Sequence, residues 1–144
     1  MEKRVKYAKI FLKESGKILL RYLKKKNLED LQKADKKVEA YIIGSIFNRY
    51  PIDSISTEKT GEIIKSSKYR WIIAPLEGRS EYLNGNSLFF ISIKIEESGV
   101  VKKTLIYLPI FNELLYQSEG NLFLNDEEIL ESNKEKLINF YTLF

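Results

Sequence analysis

The sequence contains neither cysteine nor histidine. Without cysteine, disulfides and thiolate metal sites are excluded. Without histidine, imidazole metal ligands and the Ser-His and Cys-His nucleophile pairs are excluded as well. Any catalysis must come from carboxylates, lysine, tyrosine or hydroxyl groups. No apolar run approaches the ~20 residues that a membrane-spanning helix needs. The opening stretch MEKRVKYAKIFLKESG is too charged for the core of a signal peptide. A cytoplasmic location is therefore expected. Pro/Ser-rich linkers, internal repeats and low-complexity segments are also lacking, so residues 1–144 are expected to form a single domain.

What is present suits a globular chain. Hydrophobic residues make up 44% and charged residues 31%, enough to bury a core rather than stay disordered. The net charge of +4 is mild, and the excess cation sits largely in the first 37 residues.

Apolar periodicity predicts a first helix over residues 3 to 25, with Val5, Ala8, Leu12, Ser15, Leu19 and Tyr22/Leu23 on one stripe. Ala8, Ser15 and Gly16 would permit close packing. Lys3, Lys6, Lys13, Lys17 and Lys24 fall on other faces. No aromatic residues interleave with these lysines, which argues against nucleic acid and for a solvated helix surface. Lys24 to Asn27 reads as a loop. A second helix is predicted from about Lys33 to Arg49, its stripe being Ala34, Val38, Tyr41/Ile42 and Ser45/Ile46, and Pro51 ends it. The short connection implies an antiparallel pair.

From Ile52 the period moves toward two. Ile55 to Thr57 reads as a short strand. Residues 59 to 69 read as loop, a turn of helix over Glu62 to Ile64 being the only regular element they suggest. Arg70 to Ala74 reads as a strand. The run WIIAPLEGRSEYLNG, Trp71 to Gly85, then reads as strand, Pro-Leu-Glu-Gly turn and helix start. Leu88 to Glu96 is the strongest strand, and Glu97-Ser98-Gly99 turns it into Val100 to Leu108. Pro109 to Asn112 turns into Glu113 to Gln117, and Glu119 to Asn121 leads to Leu122 to Leu124. Strands joined by short turns predict an antiparallel meander, and the fold class is α+β, a helix pair on an antiparallel sheet. Phe89, Ile91, Ile93 and Ile95 make one wholly apolar face; Leu88, Phe90, Ser92 and Lys94 make another that is apolar at one end only. Such a sheet is expected to be covered on both faces over part of its area. Ser132 to Glu135 has a capping-box pattern ahead of Leu137, Ile138, Phe140, Tyr141, Leu143 and Phe144. It reads either as a last helix docked on the core or as an apolar contact for another chain.

Seven segments in order resemble the inositol monophosphatase family, including its bacterial extragenic-suppressor branch. The Trp71 to Ser80 run resembles W-I-I-D-P-[IL]-D-G-T-[ST]. Ala34 to Glu39 resembles A-D-x-x-x-E, Tyr50 to Asp53 resembles F-P-x-D, and Ser56 to Gly61 resembles S-E-E-S-G. Ser87 to Glu96, Ile106 to Tyr116 and Asn121 to Asn125 resemble later family segments. The resemblance implies the N-terminal half of that family's layered fold. It also implies a phosphate-monoester chemistry supported by Mg²⁺, a hard ion that demands clustered oxygen ligands.

Carried over position by position, the resemblance places metal ligands at Glu58, at the Leu76 carbonyl and at Glu77, and a phosphate-binding turn at Gly78, Arg79 and Ser80. Lys59 stands where the family has a second glutamate. Ala74 stands where it has an aspartate, and Arg79 where it has a water-orienting threonine. These replacements shift the neighbourhood toward positive charge, and near a divalent ion each added cation is unfavourable by several kcal/mol. The expectation is a vestigial site without productive Mg²⁺ and a catalytically inactive protein with a structural or protein-binding role. Members of the bacterial branch act in transcription complexes by binding other proteins. Alternatively, another chain completes a weak Mg²⁺-dependent phosphatase, or Arg79 and Lys59 make an anion site without metal. The family's second half, which supplies a further metal-binding aspartate and covers the far sheet face, has no counterpart in these residues. A homodimer or a protein partner on that face, or on the Leu137 to Phe144 tail, is therefore expected.

Overall fold

The computed structural model describes residues 1–22 and 27–130. Two helices, α1 (Glu2–Tyr22) and α2 (Leu28–Arg49), precede three strands, β1 (Ser54–Thr57), β2 (Gly61–Ile63) and β3 (Tyr69–Glu77). A one-turn helix, α3 (Arg79–Leu83), leads to β4 (Phe90–Glu97), β5 (Val100–Leu108), β6 (Glu113–Ser118), β7 (Asn121–Leu124) and β8 (Glu127–Glu128). The strands form one sheet in the order β2-β1-β3-β4-β5-β6-β7-β8. The capping-box tail lies outside the described residues.

The helix stripe falls where the periodicity places it. Val5, Ala8, Leu12, Ser15 and Leu19 are buried, and so are Ala34, Val38, Ile42 and Ile46. Tyr7 meets Tyr50 while Phe11 meets Tyr41, so the two helices run antiparallel. Gly16 lets α1 settle onto the sheet: a Cβ there would lie 2.5 Å from Cε2 of Tyr107. Helix α2 starts five residues earlier than its apolar pattern implies. Asn27 Oδ1 accepts a hydrogen bond from the Asp30 amide at 2.8 Å, and Glu29 and Asp30 occupy the positive first turn.

Three features differ from the sequence expectation. Residues 61–63 form a strand hairpinned to β1 rather than loop or helix. The chain then crosses back, so that β3 runs parallel to β1, Ile55 opposite Trp71, within an otherwise antiparallel sheet. Strand β3 also continues through Pro75 to Glu77. The register against β4 shifts between Ala74 and Glu77, and this irregularity accommodates a proline that has no N–H to give the ladder.

The main core lies between the helices and the near sheet face. Trp71 and Ile73 of β3, Ile91, Ile93 and Ile95 of β4, and Leu105 and Tyr107 of β5 are buried there. Each such side chain contributes roughly 1.5–3 kcal/mol by leaving water. On the far face Leu115, Leu122 and Ile129 form a smaller cluster with Ile106 and Leu124. Ile72, Ser92 and Thr104 are half-buried and Lys94 is exposed. The far face is therefore apolar over part of its area, as the strand pattern implies.

Candidate functional site

The C-terminal ends of β1 and β3, the mid-portion of α2 and the start of α3 enclose a cleft of about 290 Å³. Its formation follows from the parallel β1–β3 pair, which brings Thr57, Glu58 and Lys59 beside Ala74 to Glu77. The bulge at Pro75 aims Glu77 toward the cleft, and Leu76 is anchored in the core. Gly78 makes the turn into α3 at φ +81°, and a Cβ there would lie 2.8 Å from the carbonyl oxygen of Leu88.

Two carboxylates of α2 dominate the floor. Asp35 and Glu39 stand one turn apart on the same helix face, and both are buried. Oδ2 of Asp35 accepts from Lys59 Nζ at 2.5 Å and from Arg79 Nη2 at 2.5 Å. Oδ1 of the same carboxylate is buried without a hydrogen-bond partner. Glu39 Oε1 accepts from Thr57 Oγ1 at 2.6 Å and from the Thr60 hydroxyl, while the Thr60 amide donates to Thr57 Oγ1 at 2.9 Å. Burial pushes the Glu77 carboxyl above its ordinary value. Glu58 pushes it further, Arg79 opposes, and Asp35 adds a smaller upward push.

Of the residues named from the sequence, Glu58, Lys59, Ala74, Leu76, Glu77 and Arg79 all line this one cleft. Ser80 is exposed and is not on its wall, and Gly78 contributes the turn rather than a wall. Asp35 and Glu39 complete the site. Their sequence signals are the i, i+4 spacing of two acids beside an apolar stripe, which by itself reads as helix surface, and the A-D-x-x-x-E resemblance, which gives neither acid a role in the site. The cleft also departs from the expected reversal of charge. Four carboxylates (Asp35, Glu39, Glu58 and Glu77) face three cations (Lys59, Arg79 and Lys94), so the lining is not net positive. Lys59 and Arg79 are both spent on Asp35.

The side chains present do not fit a divalent ion. Asp35 Oδ2 is already held by an ammonium and a guanidinium, Ala74 offers a methyl, and Glu77 favours its proton more than a free carboxylate does. Among the described residues no three acidic groups converge closely enough to hold one ion together.

Residues 2–143 match the inositol monophosphatase family. The Nus factor SuhB of Xylella fastidiosa is 30% identical over 135 residues, 87% of this chain and 49% of that protein. An inositol-1-monophosphatase of Mesorhizobium japonicum is 32% identical over 112 residues, 76% of this chain and 42% of that protein. The crystal structure of the extragenic suppressor protein suhB from Bartonella henselae superposes with a TM-score of 0.79 at 26% identity, covering 88% of this chain and 53% of that one. The chain spans about half the length of the relatives it matches. It belongs to the inositol monophosphatase family.

Proposed function

We propose that this family member does not hydrolyse phosphate esters with Mg²⁺ and instead serves a structural or protein-binding role. The observation that carries this is the capture of Asp35 Oδ2 by both Lys59 and Arg79. A buried carboxylate already neutralised by two tethered cations gains little from a third in solution, even though its Oδ1 is unpartnered. The relatives named as Nus factors supply the analogue for the protein-binding role, and that part rests on analogy with them. A second copy of the chain or a different protein is the proposed partner, placed over the far sheet face where Ile72 and Ile106 are only half-buried. We further propose that the protein works in the cytoplasm.

A weak or partner-completed phosphatase is the second reading. It is favoured by one observation, that Glu58 and Glu77 still face the same cleft as Asp35 and Glu39. Phosphate release from inositol monophosphate at millimolar Mg²⁺ separates the two. No turnover above the blank is expected. Turnover by the purified chain that disappears on Glu58→Ala establishes the second reading and overturns the first.

A further inference from the structure

The positive charge of this chain is concentrated in one stretch. Residues 17–37 hold eight lysines and arginines against three acids, Glu29, Asp30 and Asp35. That excess of five is larger than the net +4 of the whole chain, so the remaining residues are slightly acidic. Asp35 is turned into the cleft and held by Lys59 and Arg79, so it does not offset the charge outside. Lys24, Lys25 and Lys26 lie outside the described residues and are not part of the site.

The antiparallel helix pair gathers this stretch at one corner. The end of α1 and the first half of α2 form an open groove of about 420 Å³, lined by Tyr22, Lys33, Lys36, Lys37 and Ala40. The lining is mostly apolar, because Tyr22 is half-buried against the core and the lysines contribute their methylene stems. Lys33, Lys36 and Lys37 are all exposed. They stand at i, i+3 and i+4, where like charges repel along a helix. Lys33 has Glu29 at 3.2 Å, but among the described residues Lys36 and Lys37 have no carboxylate in ion-pair range. Glu39, on the next turn, is buried and accepts from Thr57. At the same end of the pair Arg21 is exposed, Leu28 is 57% exposed and Leu20 is exposed as well. The corner thus combines uncompensated ammonium groups with apolar side chains left in water.

We propose that this corner docks on an anionic lipid surface. Lysines clustered beside exposed leucines suit a bilayer: the leucines enter the headgroup boundary while the ammonium groups stay at the level of the phosphates. The groove is lined by lysine and not arginine. A lysine is a point charge suited to the diffuse field of many headgroups, whereas an acidic peptide is gripped better by the arginine fork. A nucleic-acid backbone would leave the leucines unused, and Tyr22 is packed against the core rather than presented for stacking. The contact is peripheral, since among the described residues no helix is long and apolar enough to cross a membrane. Docking uses the outer face of α2 and leaves the cleft untouched, so its failure would leave the proposal for the cleft intact.

The test is flotation of the purified chain with vesicles of phosphatidylcholine, alone or with added phosphatidylglycerol, at low and at physiological salt. Binding to the anionic vesicles only, weakening as salt rises, is expected. The triple replacement Lys33→Gln, Lys36→Gln and Lys37→Gln is expected to lower the partition coefficient about 100-fold, at roughly fivefold per lysine. Leu28→Ser is expected to lower it severalfold while leaving the salt dependence unchanged. Lys65→Gln with Lys102→Gln, two exposed lysines elsewhere on the chain, is the control and is expected to bind as the parent does. No binding to anionic vesicles at low salt, equal binding to neutral vesicles, or corner replacements that do no more than the control would each overturn the proposal. Binding to oligo(U) or poly-glutamate as tight as that to the vesicles, and lost in the triple variant, would assign the corner to another polyanion and overturn it too.

Discussion

Arg79 reaches from the first turn of α3 to Asp35 on α2, Nη2 to Oδ2 at 2.5 Å, across 44 residues of sequence. The Asp35 side chain is 1% exposed while Arg79 is 45% exposed. A half-solvated cation is thus pinned on a buried anion, and Lys59 shares the same oxygen. Either cation alone can neutralise Asp35, so the single replacements Lys59→Ala and Arg79→Ala are expected to be mild, within about 1 kcal/mol. The double replacement strands a buried charge and is expected to cost about 3 kcal/mol. Urea unfolding of the four proteins gives the coupling; additive losses would show that the two cations do not serve one carboxylate.

A second buried acid anchors the N-terminal end of the fold. Burial alone would raise the Asp53 carboxyl, but hydrogen bonds from Arg4, Trp71 and Ser67 outweigh it and hold the group below its ordinary value. Its folded pKa is thus lower than its unfolded one, ~3.9. The stabilisation is complete above that unfolded value and is lost as pH falls through the lower folded value. Asp53→Asn is expected to lose about 3 kcal/mol at pH 7 and to show a shallower acid limb in a stability–pH curve. Parallel curves for the two proteins would contradict this.

Glu77 behaves in the opposite sense. Its folded pKa lies above its ordinary value through burial and the nearby Glu58. Protonation therefore favours the folded state, an advantage present below the unfolded pKa and lost as pH rises through the folded one. Glu77→Gln is expected to be more stable than the parent near pH 7, with the gap closing toward pH 4. Thermal melts across that range measure it; a variant less stable at pH 7 would mean that the ionised carboxylate is held by a favourable partner.

Gly16 is a packing position rather than a turn. Valine there would place Cβ 2.5 Å from the Tyr107 ring and lift α1 from β5. Overpacking of this kind costs typically 1–3 kcal/mol. Urea melts of Gly16→Val are expected to lose an amount in that range, and unchanged stability would show that the helix shifts freely.

Much of this architecture is legible in the sequence because periodicity is a local signal. The stripes Val5–Leu19 and Ala34–Ile46 and the alternation of Ile91, Ile93 and Ile95 name their own buried faces. Strand β2 is hard to read because Gly61, Glu62 and Ile63 carry little alternation and gain their structure from pairing with β1. The parallel β1–β3 pair is hidden for the same reason, since no short-range pattern encodes a crossover. The resemblance identifies the residues around Glu58 and Glu77. It does not reveal that Asp35 would collect Lys59 and Arg79, because that contact exists only once α2, β1 and α3 meet. The replacements implied by the resemblance suggest a pocket that repels cations; the folded lining is nearly balanced, and pairing is the cause that remains.

The most direct measurement is calorimetric titration of the purified chain with Mn²⁺ at pH 7, alongside the Asp35→Asn and Glu58→Ala variants. If the tethered cations have taken the place of a metal, the parent shows no saturable binding heat and the variants are indistinguishable from it. Saturable binding by the parent that is lost in both variants would contradict the account.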